Sequence, residues 1–280
     1  LGFYDPASQR MVVVSDTGLS AEARVTYAHE YTHALQDGAF DTFDKLDQLV
    51  DDDAIGAIQA LEEGDATVVM FQWAFAHLRP DELAQIGATP LPDTTGIPEW
   101  MVNQLTWPYL AGFAFVNALN GGQGWERVDA AYADPPVSTE QVIHPDKYLD
   151  GEPPIEVAAP GVAAALGSGW EDLEPNTVGE AMIDIWLTDL GSASLTAVAA
   201  AGWGGDRLAV AEGPNGEWAM AWRIAWDSAA DADEFQAAYE ATSAPSGFVS
   251  RLVRSSSEET LVLHASSSQV LTSLSDGLGR

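Results

Sequence analysis

The chain contains no cysteine, which excludes both a disulfide framework and a thiolate metal site. Positive charge is almost as scarce. Against 43 acidic residues stand 11 basic ones, only two of them lysine (Lys45 and Lys147), for a formal net charge of −32. Such a surface repels nucleic acid and anionic membranes, so neither is expected as a partner. It suits a protein kept soluble in concentrated salt, where screening removes most of the self-repulsion, and the expectation is a halophilic setting. Long apolar runs are missing too. No stretch of 18 apolar residues occurs, so no direct membrane span is expected. The chain opens on Leu1 without a signal peptide, and the reading is a trimmed product, extracellular or at the cell surface.

What is present is enough to fold. With 280 residues and 46% hydrophobic content, the chain can bury one large core or two ordinary ones. Gly2–Pro6 and Met11–Ser15 read as two short strands around a turn, and an edge strand there can hold a peptide by backbone hydrogen bonds. Ser20 is a helix N-cap for a helix over 21–36, ended by Asp37-Gly38. Asp51-Asp52-Asp53 opens a second helix running from about Ala54 to His77, where carboxylates favour the positive end of the dipole. The stretch 80–97 reads as a loop, a lid or rim. Pro98 starts a helix to about Thr106, and Pro108 restarts another through Leu119. Gly121-Gly122 is a turn, 125–133 a helix, and Ser138-Thr139-Glu140-Gln141 a capping box leading to His144 and Tyr148.

The chain loosens into Gly, Pro and Ala over 149–169, and the boundary is placed there: 1–157 as a catalytic, metal-binding domain and 158–280 as a smaller accessory domain. Helices over 178–190 and 193–201 precede a strand at 208–211 and a turn at Gly213–Gly216. Trp218, Met220, Trp222, Ile224 and Trp226 then alternate along a strand with one aromatic face. A helix (231–241), two strands (248–254 and 260–264) and a last helix (267–274) follow. This order predicts an antiparallel sheet with helices on one face. The aromatic stripe reads as core, and His264 as structural.

The chemistry centres on Ala28–Asp37, which contains His29-Glu30-Tyr31-Thr32-His33. On a helix, residues four apart share a face, so two imidazoles can meet one ion while Glu30 reaches a water beside it. Zinc fits two imidazoles, one carboxylate and an open fourth position. No third histidine follows at metzincin spacing, and the third ligand is expected to be a glutamate. Glu63, just before Gly64, is the first choice and Glu62 the second. Gly64 in a helix is expected to serve close packing against the motif helix, which would bring either glutamate to the metal. His144 is a rival ligand. Glu30 is the expected general base, and Tyr109 or His144 the donor to a developing oxyanion, with Tyr148 a weaker candidate. Tyr109 also reads as a helix-packing aromatic. Asp65 could orient a ligating histidine.

The His29-Glu30-x-x-His33 pattern with a downstream helical glutamate resembles the gluzincin-type zinc metallopeptidases, and Glu63-Gly64-x-Ala66 resembles the ligand turn of their aminopeptidase branch. Gly2–Pro6, Ala28–Asp37 and Ser138–Tyr148 together resemble an uncharacterised group of exported bacterial and archaeal zincin-like proteins. The resemblance covers most of residues 1–150 and implies a zincin-like fold there; with the β-hairpin and the sheet read from the residues, the expected fold class is α+β, a mostly helical zincin-like domain behind a short β-hairpin followed by a smaller α+β domain. The resemblance also implies a zinc peptidase, without implying its substrate; a peptide or protein is the expected partner. The alternative is a weakly active or inactive surface protein of the same fold, with cell-envelope binding or self-association as its role.

Overall fold

The computed structural model describes residues 2–13, 18–42, 46, 48–87, 93–121, 124–191, 196–242 and 247–279. The parts of the sequence expectations that fall on residues 14–15, 43–45, 88–92, 122 and 193–195 lie outside the described residues. In chain order an N-terminal β-hairpin comes first, then a helical region, then an antiparallel sheet with its own helices. Contacts divide the chain into two units, Leu1–Leu49, Ile55–Pro136 and Gln141–Asp150 in the first, and Val50–Ala54, Val137–Glu140 and Gly151–Arg280 in the second.

In the first unit, β1 (Gly2–Asp5) pairs antiparallel with β2 (Arg10–Val13), Tyr4 opposite Met11. Helix α1 (Ala21–Phe40) starts on Ser20, whose hydroxyl accepts the Ala23 N–H at 3.1 Å. It runs past Gly38, which costs a helix only about 1 kcal/mol. It ends instead where Asp41 turns left-handed (φ 51°) and its N–H returns to the Asp37 carbonyl. Helix α2 (Asp52–His77) follows, and then α3 (Pro80–Gly87), where a lid or rim loop was expected. Pro80 sits at the first helical position, Asp81 and Glu82 favour the dipole, and Leu83 and Ile86 pack on Ala21, Ala74 and Leu78. That buried face outweighs the loop-like composition.

The two helices expected around Pro108 are one, α4 (Glu99–Asn120), with the proline inside it. Pro108 has no N–H for the Gln104 carbonyl, a local cost. Burial of Phe115, Val116 and Leu119 further along sustains the helix. These side chains join Ala57, Leu61 and Val68 of α2 and Val128, Ala131 and Tyr132 of α5 (Glu126–Ala133) in one core. Gly64 of α2 and Gly112 of α4 form the crossing: a methyl on Gly64 would overlap the Gly112 carbonyl, and one on Gly112 would overlap the Ala60 carbonyl. Gly64 therefore serves close packing against α4, not against the motif helix as expected. Two further short helices, α6 (Thr139–Ile143) and α7 (Pro145–Asp150), follow.

The second unit contains α8 (Val162–Leu166), β3 (Glu171–Asp172), α9 (Gly179–Asp189), α10 (Thr196–Ala200), β4 (Trp203–Glu212), β5 (Trp218–Trp226), α11 (Ala229–Ala241), β6 (Val249–Arg254), β7 (Glu259–Ala265) and α12 (Ser268–Gly277). The sheet order is β3-β4-β5-β7-β6, antiparallel throughout. Helices cover both faces rather than the one expected. Trp222, Ile224 and Trp226 pack with Ile183, Leu187 and Phe235 from α9 and α11. Ala219 and Ala221, alternating with them, pack with Leu261, Leu263, Val162 and Leu274, which brings α8 and α12 onto the opposite face. The strand reads as one-sided because alanine counts as weakly apolar, yet its small size is what lets a second helical layer approach. Among the described residues, no helix is long and apolar enough to cross a membrane.

Buried carboxylates tie the second unit together. Asp206 accepts the Trp203 and Trp222 indole N–H groups at 2.8 and 3.0 Å and the Gly179 N–H at 2.8 Å. Asp53 accepts the Thr139 N–H at 2.9 Å and its hydroxyl. Gly179 lies at φ 82°, where a side chain would strike Asp53 and Thr139, so both its conformation and its bareness are required. Asp51 pairs with Arg207 at 2.6 Å.

Candidate metal centre

Three side chains of the first unit converge. His29 and His33 lie one turn apart on α1, and Glu63 reaches them from α2. His29 Nε2 is 3.1 Å from His33 Nε2 and 3.0 Å from Glu63 Oε2, and His33 Nε2 is 3.4 Å from the same oxygen. A tetrahedral ion with bonds of about 2.0–2.1 Å holds its ligand atoms roughly 3.3 Å apart, so the triangle has the size such an ion needs. The donor set, two imidazoles and one carboxylate, is able to hold a divalent ion. Burial drives the Glu63 carboxyl upward, but the hydrogen bonds and charges of both imidazoles overcome it and hold the group at about 2. It is an anion throughout the physiological range. His33 is raised: burial opposes its charge, and the bond to Glu63 and that carboxylate's charge prevail.

A chain of hydrogen bonds aims His33. Its Nδ1 lies 2.8 Å from Gln36 Oε1, one turn along the helix. An amide oxygen can only accept, so Nδ1 carries a proton and Nε2 is the nitrogen turned to Glu63 and the cluster. The Gln36 amide is fixed in turn, its Nε2 donating to the Glu62 carbonyl at 3.0 Å and to Asp65 Oδ2 at 2.9 Å. Tyr132 also donates to Asp65 Oδ2, at 2.8 Å. Asp65 thus acts on the histidine through Gln36. Composition and spacing do not announce Gln36 or Tyr132; the i, i+3 step from His33 to Gln36 was the available signal.

A cavity of about 620 Å³ opens beside the cluster, bordered by Glu30, His33, Glu63, Gln104, Tyr109 and the strand residues Phe3 and Tyr4. Glu30 Oε2 accepts the Tyr4 N–H at 2.9 Å, and the Tyr4 hydroxyl donates to Asp37 at 2.6 Å, which pins β1 against α1. Tyr109 stacks on His29 with ring centres 5.9 Å apart and planes at 23°. Burial, the Glu63 charge and a hydrogen bond to Glu63 all push its hydroxyl above the usual phenol range, so it stays protonated. Tyr109 stands one turn before Gly112, so the glycine crossing of α2 and α4 sets its place over the cluster.

The remaining candidates lie elsewhere. Glu62 borders the same cavity but is turned out of the triangle. It is buried, one oxygen lacks a partner, and burial pushes its carboxyl up to about 7. His144 sits between α6 and α7, its carbonyl accepting the Lys147 N–H at 2.9 Å, and it does not border the cavity. Tyr148 gives its hydroxyl to the Asp134 carbonyl at 2.8 Å and packs edge-on against Phe115.

Comparison with known proteins matches residues 168–272 to a domain of unknown function (DUF8575). No curated protein and no solved structure matches. The resemblance to gluzincin-type metallopeptidases, and with it to the exported zincin-like group, is corrected on these findings. The ligand cluster comprises His29, His33 and Glu63, an H-x-x-x-H pair plus a distant glutamate with Glu30 outside the set. Such a set follows from coordination chemistry and does not establish a family. The matched segment contains none of the three ligand candidates.

Proposed function

We propose that the chain is a zinc-dependent hydrolase that cleaves amide bonds in peptides. The observation that supports it is one of placement: Glu30 borders the same cavity as His33 and Glu63 without belonging to the ligand triangle. Glu30 Oε2 holds the Tyr4 N–H at 2.9 Å, so the carboxylate is fixed in place beside the triangle. His29, His33 and Glu63 would hold a zinc ion, which would supply Lewis acidity beside the substrate carbonyl. Glu30 takes the proton from the attacking water and delivers it to the leaving amine. Tyr109 donates its hydroxyl hydrogen to the carbonyl oxygen as charge develops on it. Phe3 and Tyr4 of β1 line the same cavity, which receives an extended peptide beside Glu30.

A second reading, a metal-holding surface protein without turnover, draws on the net charge of −32 as the main adaptation. One experiment separates the two. Metal content is measured on purified protein, and peptide-library cleavage is compared between the wild type and Glu30→Gln. Stoichiometric zinc with cleavage lost in the variant supports the hydrolase. Zinc without turnover in either form favours the second reading, and protein that takes up no metal defeats both.

A further inference from the structure

Tyr109 also borders a second hollow of about 410 Å³, walled by His29, Met70, Phe71, Leu110 and Phe113 as well. Its character differs from that of its neighbour. Among the described residues, three carboxylates border the Glu30 cavity, Glu30, Glu62 and Glu63, whereas no carboxylate, lysine or arginine borders this groove. On a chain of net charge −32, an acid-free patch beside the candidate metal centre is chemically distinct. The groove is also open: Leu110 is 72% exposed, Phe71 44% and Phe113 38%. Phe71 and Phe113 meet edge-to-face at 5.7 Å, forming one aromatic wall. Large apolar side chains gathered on a surface mark a place where an apolar partner is held.

We infer that this groove is a specificity subsite, receiving a large apolar or aromatic side chain of the substrate next to the bond that is cut. The assignment rests on the hydrolase reading. Continuity with the metal centre decides the occupant: His29 is both a wall of the groove and a corner of the ligand triangle, and Tyr109 borders both hollows. A substrate chain lying across Tyr109 places its backbone at the cluster and one side chain in the groove. An acidic side chain finds no cation there and faces Glu63 nearby. An aromatic one buries its surface against Phe71, Phe113 and Leu110.

The test uses chelating probes, which bind a metal without requiring turnover. Affinities of acetohydroxamic acid and of 3-phenylpropionohydroxamic acid are measured on the zinc-loaded full chain, in the wild type and in Leu110→Glu, with Phe71→Ala as a second variant. Leu110 is exposed, so its substitution leaves the fold intact. The phenyl compound is expected to bind about tenfold or more tighter to the wild type, the gain from burying one aromatic ring. Both variants lose most of that advantage while acetohydroxamic acid binds unchanged. Equal affinities in the wild type overturn the subsite and leave the hydrolase reading to the cleavage assay. Discrimination by a protein that cleaves no peptide leaves an apolar site at the metal and overturns both the hydrolase and the groove's role beside a cut bond. No binding of either probe defeats both. A wild-type dimer that Leu110→Glu turns into a monomer, with probe affinities unchanged, makes the groove a self-association surface and overturns the proposal.

Discussion

Each of the two units draws carboxylates inward, half-buried Glu63 in the first and buried Asp206 and Asp53 in the second, and their surroundings differ in kind. In the first unit Glu63 faces two imidazoles, with a cavity at its side. In the second, Asp206 faces two indole N–H groups and backbone N–H groups that are already committed to it. Glu63 is held at about 2, because burial is outweighed by partners that carry or share positive charge. Asp206 and Asp53 are pushed up by burial despite their hydrogen bonds, Asp53 to about 7 with the charges of Asp206 and Glu140 adding to its burial. A carboxylate whose donors are fixed backbone and indole groups is a tie in a scaffold. One whose partners are themselves metal ligands belongs to a centre that can exchange its contents. The lesson is to ask what a buried acid's partners can do once it is removed.

Removing Asp206 gives the largest expected effect. Asp206→Ala strands the Trp203 and Trp222 indoles and the Val178 and Gly179 amides without an acceptor. It should cost the second unit about 3–5 kcal/mol in a denaturant titration, and leave metal content unchanged if the comparison is right. A loss within about 0.5 kcal/mol would mean water replaces the carboxylate and the tie is not structural.

Asp53 tests the same unit through pH. Its folded value, about 7, lies above the unfolded 3.8. The native state therefore keeps a proton that the unfolded chain has released, and stability falls as pH rises between these values. The full contribution is present below about 4 and is lost by about 7, amounting to at most roughly 4 kcal/mol by linkage. Asp53→Asn keeps an acceptor for Thr139 but cannot titrate. Thermal melts from pH 4 to 8 should show a flatter slope in the variant; parallel slopes would contradict the assignment.

Glu63→Ala reverses the pattern. Losing one of three ligands should weaken zinc binding more than about a hundredfold by isothermal titration. Equal zinc retention in Glu63→Ala and wild type would move the third ligand elsewhere. Gln36→Leu is expected to be milder, about 10- to 100-fold in zinc affinity, because it frees His33 to rotate and take the other tautomer. An unchanged affinity would mean that the triangle alone aims the histidine.

Local order was the part most open to reading. Ser20 as N-cap, His29 and His33 on one helical face, and the alternating stripe from Trp218 to Trp226 all depend on neighbours in the chain, whose geometry is fixed by the periods of helix and strand. Errors arose where distant contacts outweighed local signals. The helix at Pro80–Gly87 is held by Leu83 and Ile86 on a core whose existence 80–97 does not reveal. The unbroken α4 carries Pro108 because Phe115, Val116 and Leu119 are buried beyond it. Helices lie on both faces of the sheet because Ala219 and Ala221 admit a second layer.

By itself the sequence determined the chemistry on offer: no thiolates, two imidazoles at one helical spacing, carboxylates in excess, and an apolar content able to bury cores. Tertiary structure alone decided which of those groups meet. Glu63, and not Glu62, turns to the histidines because the two are about 100° apart around α2, and the glycine crossing at Gly64 and Gly112 sets which face of α2 meets α4. The same crossing seats Tyr109 on His29, and Gln36 finds its anchor in Asp65 and Tyr132, far away in sequence. Spacing along a helix is fixed by covalent geometry, whereas the rotation of one helix against another is set by how closely two backbones can pass.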